Sequence, residues 1–228
     1  ERIGVSISGR QTLGRFVELP SVESKRLDDL LRHEASVQYP VNLQELVWGY
    51  HVLPRPAGDQ AEPVSNRVVL QAVKRHHVQE LLSLCQDAGL SVDVLQSDSL
   101  ALHNFAVYEF FGGSDSNGAS SPVVVLLDVG AQSASLVLSA PHLVWFRNLA
   151  VAGESSTNAL LRPLKLTREQ AEQLKREPAR ARRVYALYEL WDPILAYLAD
   201  EVERSLATCQ RQFPGLEVQQ MFGLGGGF

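Results

Sequence analysis

Cysteine is nearly absent from the sequence, with Cys85 and Cys209 the only two in 228 residues. Two thiols alone build neither a disulfide framework nor a zinc site, so a reducing, cytoplasmic setting is the expected one. Long apolar runs are missing too. The longest stretch without Asp, Glu, Lys or Arg, residues 129–146, is broken by Gly130, Gln132, Ser133, Ser135, Ser139 and Pro141, which excludes a spanning helix there. The opening Glu1-Arg2 leads into no apolar segment of signal-peptide type. A basic excess is also lacking: the formal net charge is −5, which argues against a nucleic-acid binder. The histidines offer no ligand spacing, and His76 and His77 are helix neighbours expected to point to different sides.

What remains is an ordinary globular composition, 45 % hydrophobic and 21 % charged, enough for one large domain or two small ones. The first part alternates strands and helices: strand 15–19, a helix capped by Ser24 with Leu27, Leu30, Leu31 and Ala35 at helical spacing, and strand 46–53. A polar loop at 54–66 precedes strand 68–73, a helix over 76–88 closed by Gly89, strand 90–95 and a helix over 99–110. The Gly-, Ser- and Asn-rich residues 112–121 read as a boundary.

In the second part, residues 123–127 are wholly apolar, as suits a strand covered on both faces. Strands 134–138 and 143–149 follow, then helices near 153–161 and 167–176. The second of these opens with the capping box Thr167-Arg168-Glu169-Gln170. A long helix is predicted from Pro193 to about residue 212, with Ile194, Leu198, Val202, Leu206, Cys209 and Phe213 as its apolar stripe. A last strand, 218–222, runs into glycines. Both ends read as cuts through a longer protein.

Three signals carry chemistry. In Leu126-Leu127-Asp128-Val129-Gly130-Ala131-Gln132-Ser133-Ala134-Ser135, an apolar strand ends in a carboxylate and a glycine turn. Such a hairpin presents backbone amides to a phosphate, and Asp128 suits Mg²⁺; a plain turn carrying an Asp is the alternative. Gly223-Leu224-Gly225-Gly226-Gly227 lets a backbone approach a flat ligand, or simply turns. Glu201, Arg204, Ser205 and Thr208 share one helix stripe, which solvation alone would explain. Residues 162–183 hold eight Lys or Arg against three Glu, read as a solvated face with a membrane or polymer contact as the alternative.

Together and in this order, the signals resemble the actin/hexokinase/heat-shock ATPase superfamily, and more closely the PilM family of type IV pilus assembly proteins, relatives of the division protein FtsA. The likeness runs through Glu34-Ala35-Ser36-Val37-Gln38-Tyr39-Pro40-Val41-Asn42-Leu43-Gln44-Glu45, Ala88-Gly89-Leu90 and Asp98-Ser99-Leu100-Ala101-Leu102. It continues through the 127–138 hairpin, Glu201-Val202-Glu203-Arg204-Ser205-Leu206 and Leu224-Gly225-Gly226-Gly227. Relatives place a first phosphate hairpin ahead of this stretch, expected upstream of Glu1. They also tend to carry Glu-Pro where this chain has Asp98-Ser99, and Thr where it has Ala134.

The resemblance implies an α/β, actin-like (ribonuclease H-like) two-lobed nucleotide-binding fold. Residues 1–9 and 96–112 would belong to the first lobe, 10–95 to an inserted α+β subdomain, 113–121 to a linker and 122–228 to the second lobe. ATP would be the ligand, with Mg²⁺ on Asp128 and the phosphates on Gly130, Ala131, Gln132 and Ser133. Gly225, Gly226 and Gly227 would bound the adenine, Glu201 and Arg204 would reach the nucleoside, and Asp98 would orient water for any hydrolysis. The implied role is a cytoplasmic scaffold, peripheral at the inner membrane, that recruits the N-terminal cytoplasmic segment of a PilN-like membrane protein and turns ATP over slowly if at all. Self-association is a further implication. The alternatives are an active ATPase, or an FtsA-like division protein that polymerises.

Overall fold

The structure, a computed structural model, describes residues 2–21, 24–54, 65–112 and 122–227. The expected linker 113–121 and residues 55–64 of the expected loop lie outside them. The chain divides into two compact units, Glu1–Ser121 with Ser139–Val144, and Pro122–Leu138 with Trp145–Phe228.

In the first unit, β1 (Gly4–Ile7) pairs in parallel with β5 (Val94–Ser97). Strands β2 (Thr12–Pro20), β4 (Ser65–Lys74) and β3 (Leu46–Val52) form an antiparallel sheet in the order β2-β4-β3. Helix α1 (Ser24–Gln38) lays Leu31 and Ala35 on Val17, Leu19, Leu46, Val68 and Leu70, so the helical spacing read in the sequence is the core-facing one. Ser24 is the first helical residue rather than the cap. Helix α2 (Arg75–Asp87) seats Val78 on Ile7 and Val73. Gly89, at φ +73°, closes it.

The strand expected at 90–95 begins only at Val94. The Leu90 amide is spent on the Cys85 carbonyl at 2.8 Å, and the ladder starts where Asp93 and Val94 donate to the Ile3 carbonyl. His76 and His77 also differ from expectation, since their rings lie 4.0 Å apart rather than on separate sides. Helix α3 (Asp98–Phe111) follows β5 directly, with Ser97 accepting from the Leu100 amide as its cap.

The second unit is built on β6 (Val123–Val129), β7 (Ala134–Ala140), β8 (Leu143–Leu149) and β9 (Val218–Leu224), in the order β8-β7-β6-β9, except that Ser139–Val144, where β7 turns into β8, belong to the first unit. Strand β6 is parallel to β9, and its apolar run is buried as read. Between β8 and β9 come α4 (Gly153–Leu164), α5 (Arg168–Arg176) and α6 (Val184–Gln212). Leu160, Ala171, Leu187 and Trp191 form their shared core. The Thr167/Gln170 capping box is present.

Helix α6 starts more than two turns before Pro193, which sits inside it. Proline strips a partner from the carbonyl four residues back, that of Glu189, a residue on the exposed side of the helix. Leu187 and Trp191, buried against α4 and α5, extend the predicted stripe upstream and hold the helix through the proline. Burial pushes the Cys209 thiol up to about 12, which removes it as a nucleophile. No described helix is long and apolar enough to cross a membrane. Among the described residues no His, Cys, Asp and Glu side chains cluster as metal ligands.

His103, buried on α3, places Nδ1 2.7 Å from Ser139 Oγ, with the His51 ring 6.0 Å away. Burial, and then the neighbouring His51, lower its pKa to about 4. The unfolded chain takes up this proton near pH 6.5, so the contribution is full above that value and is lost as pH falls toward 4. Between pH 7.5 and 5.5 the loss is about 1 kcal/mol. His103→Gln is expected to remove that part of the pH dependence, read as urea midpoints at the two pH values. An unchanged dependence would contradict the burial argument.

Candidate functional site

The Asp128 hairpin is anchored by hydrogen bonds on both sides. The Gly130 amide donates to the Ser133 carbonyl at 2.9 Å and closes the turn. The first amides of α4 then hold the turn from one side: Gly153 donates to the Gly130 carbonyl at 2.9 Å, and Glu154 to the Ala131 carbonyl at 2.7 Å. In a trans peptide the N–H points opposite to the C=O. With both carbonyls directed at α4, the amides of Ala131 and Gln132 point away from it.

The glycine loop closes the junction. Strand β9 runs beside β6 as far as the Asp128–Leu224 pair, and Gly227 then donates to the Val129 carbonyl at 2.8 Å. Gly225 sits at φ +89°, and a Cβ there would lie 2.4 Å from the Val129 carbonyl oxygen and 2.5 Å from Asp128 Oδ1. A Cβ on Gly227 would meet the same carbonyl at 2.7 Å. One on Gly153 would meet the Gly130 oxygen at 3.3 Å and Gly227 Cα at 3.4 Å. Hairpin, helix start and loop therefore meet backbone to backbone, which only glycine permits. The structure brings Asp128, Gly130, Ala131 and the 225–227 loop into one place.

Beside this junction lies a cavity of about 330 Å³, bordered by Val129, Gly226, Gly227, Lys175, Trp191 and Leu198 among others. Trp191 is fixed by its indole N–H, which donates to the Ser156 carbonyl at 3.0 Å. Lys175 donates to Glu172 at 2.9 Å, to Thr157 Oγ1 at 3.0 Å and to the Gly153 carbonyl at 3.3 Å. The Thr157 hydroxyl, and then Lys175, hold Glu172 down to about 2. A cavity with an apolar floor, two cations, Lys175 and Arg176, at its edge and a glycine rim suits a flat, anionic ligand.

Glu201 and Arg204 stand elsewhere. Glu201 is buried, not solvated, with Arg147 at 3.0 Å on one oxygen and Arg204 at 2.9 Å on the other. Ser205 is buried too and donates to the Glu201 carbonyl at 2.6 Å. The solvated-face reading therefore holds for Arg204 and Thr208 but not for these two. Arg204 lines a different concavity with Arg147, Thr208 and Arg211. Asp98, in the first unit, accepts from the Gly9 amide at 2.7 Å and from the Ser99 amide and hydroxyl at 2.6 and 3.0 Å.

The reading from sequence missed Lys175, Glu172 and Trp191. Their signal was the Glu–Lys pair three residues apart on α5, hidden in the basic run 162–183. Four of the eight cations in that run, Arg168, Lys175, Arg176 and Arg180, are paired to carboxylates.

The glycines yield a matched test. Gly225→Ala forces a side chain into a left-handed φ and against a backbone carbonyl, and is expected to destabilise by about 2 kcal/mol or more. Gly226, with nothing within 4 Å of its added Cβ, should tolerate alanine within about 0.5 kcal/mol. Urea denaturation of the two variants checks this; equal costs would refute the close approach.

The profile of the family described as "Type IV pilus assembly protein PilM" matches residues 1–228. The comparison with curated protein sequences gives no match. Among solved structures, the "PilM-PilN type IV pilus biogenesis complex" is similar at 25 % identity and a TM-score of 0.80, over 98 % of this chain and 62 % of that one. This chain thus spans less than two thirds of that relative's length. The ethanolamine utilization protein EutJ from Carboxydothermus hydrogenoformans is similar at 14 % identity and TM-score 0.45, over 65 % of this chain and 47 % of the other. MreB 5 of Spiroplasma citri bound to AMPPNP is similar at 13 % identity and TM-score 0.46, over 91 % and 67 %. With a family profile that matches from the first residue to the last and an α/β fold shared with the PilM-PilN structure across 98 % of its length, the chain belongs to the PilM family of type IV pilus assembly proteins.

Proposed function

We propose that this chain is the nucleotide-holding scaffold of a type IV pilus assembly platform, with ATP bound in the second unit and a PilN-like partner docked on the first. The observation that carries the nucleotide half is the junction of three backbone segments at Gly130, Gly153 and Gly227 beside the 330 Å³ cavity. Asp128 would hold Mg²⁺, which supplies charge to the phosphates, and the Ala131, Gln132 and Ser133 end of the hairpin would take the phosphates. Gly225, Gly226 and Gly227 would bound the base, with Trp191 and Lys175 lining the nucleoside's side of the cavity. This reading moves the nucleoside contact from Glu201 and Arg204, whose charges satisfy one another and Arg147, to α5 and the first half of α6. Asp98 would orient water for any turnover. Its oxygens already hold Gly9 and Ser99 in place, which supports slow hydrolysis at most.

The partner half is supported by the likeness to the PilM-PilN complex. The first unit carries a groove of about 240 Å³ along the edge strand β3, lined by Val47, Trp48, Tyr50, Val69, Gln71 and Leu100 among others. Gln71 Nε2 is buried there with no hydrogen-bond partner among the described residues, a donor that a peptide carbonyl would satisfy. An extended segment pairing with a strand edge and seating apolar side chains fits this groove. The occupant is the N-terminal cytoplasmic segment of a PilN-like inner-membrane protein, which would hold the scaffold at the membrane from the cytoplasmic side.

Two titrations of the full-length protein test the two halves separately. Mg-ATP measured by calorimetry should bind, and Asp128→Ala should weaken it tenfold or more, about 1.4 kcal/mol. Absence of binding in the wild-type protein would sink the nucleotide half. Val47→Glu puts a charge into the apolar groove, so a fluorescent peptide of the partner's N-terminal segment should bind at least about tenfold more weakly while ATP affinity stays unchanged. Unaltered peptide binding would place the docking site elsewhere.

A further inference from the structure

Thr157, on α4, is buried at 1 % exposure and lies at the centre of the charge pair behind the cavity. Its hydroxyl has one proton and two acceptors in range: Glu172 Oε2 at 2.7 Å and the Gly153 carbonyl at 3.3 Å. The shorter, charge-assisted bond takes the proton. The oxygen's lone pair then receives Lys175 Nζ at 3.0 Å. Helix α4 thereby fixes both members of the Glu172–Lys175 pair on α5. It does so one turn after the Gly153 amide that holds the phosphate hairpin.

The three ammonium protons of Lys175 face Glu172, Thr157 and the Gly153 carbonyl, at 2.9, 3.0 and 3.3 Å. The longest of these bonds is the one a ligand oxygen can replace, and Lys175 borders the cavity. Without the Thr157 hydroxyl, the pair loses the acceptor that aims Lys175 and the donor that holds Glu172.

We propose that Thr157 is a positioning residue for nucleotide binding, its buried hydroxyl setting Lys175 and Glu172 so that the Lys175 cation faces the sugar-phosphate part of a bound nucleotide. The inference rests on the nucleotide reading above. Thr157→Val keeps the shape and removes the hydroxyl; Thr157→Ser keeps the hydroxyl.

The test has two readouts on the full-length protein. The first needs no ligand: the Glu172 carboxyl, followed by NMR, should titrate clearly higher in Thr157→Val than in wild type and stay low in Thr157→Ser. The second is calorimetry with Mg-ATP, where Thr157→Val should bind roughly fivefold more weakly and Thr157→Ser within about twofold of wild type. A Glu172 titration that Thr157→Val leaves in place overturns the proposal, as does a wild-type ATP affinity in that variant. If wild type binds no ATP, the nucleotide reading fails with it, and the NMR titration still decides whether Thr157 sets the pair. A loss of binding equal in the Val and Ser variants would mark a packing effect and also overturn the proposal.

Discussion

The close approach of the 225–227 backbone to the end of β6 is the constraint on which the second unit depends. Parallel pairing brings β9 alongside β6, and the Gly227 amide continues that pairing onto the Val129 carbonyl at 2.8 Å. There is no room for a side chain at Gly225 or Gly227, because the space is filled by backbone and by the Asp128 carboxylate. The hairpin is thereby fixed from β9 and, through its Gly130 and Ala131 carbonyls, from the start of α4. A turn held on both flanks is preorganised for a ligand, and its ordering cost is met in folding rather than in binding.

Helix α4 has a second duty that follows from the first. Its opening amides are spent on the hairpin, so its positive end is neutralised by backbone carbonyls and not by a solvent anion. One turn later Thr157 reaches α5 and ties the Glu172–Lys175 pair. A single helix therefore sets both the turn and the cation beside it. That economy depends on burial: Thr157 and Leu160 both face the unit's core.

Much of this was legible in the sequence because the information is local. The 127–138 hairpin and the glycine loop are short patterns whose geometry depends on their own residues, and β6, β7, β8 and the α5 capping box fall where the pattern puts them. Illegible were features set by contacts distant in sequence. Pro193 reads as a helix start, yet burial of Leu187 and Trp191 against α4 and α5 carries α6 through it. Glu201 and Ser205 read as a solvated stripe, yet Arg147 from β8 makes their burial affordable. Lys175 was submerged in a run of charges, since nothing in its own neighbourhood names Thr157 as its partner eighteen positions earlier.

Among the described residues of the same unit, two carboxylates, Glu201 and Glu172, are each held by two cations, and they are held differently. Glu201 has one guanidinium on each oxygen, at 3.0 and 2.9 Å, and Ser205 supports Arg147 at 3.4 Å. Such a cluster is closed: a carboxylate so held is expensive to separate from its partners, and its worth lies in fixing α6 to β8. Glu172 is the open case. It is partly exposed, takes the Thr157 hydroxyl and the Lys175 ammonium on one oxygen and the Arg176 guanidinium at a longer 3.5 Å on the other, and leaves Lys175 with a long contact to a backbone carbonyl at the cavity edge. Weakly held donors exchange partners at low cost, and at the cavity edge Lys175, with its 3.3 Å carbonyl contact, and Arg176, 3.5 Å from Glu172, are held more loosely than Arg204 at 2.9 Å. In the nucleotide reading proposed above, Glu201 and Arg204 therefore serve the packing of α6 on β8, and the nucleoside contact falls to α5.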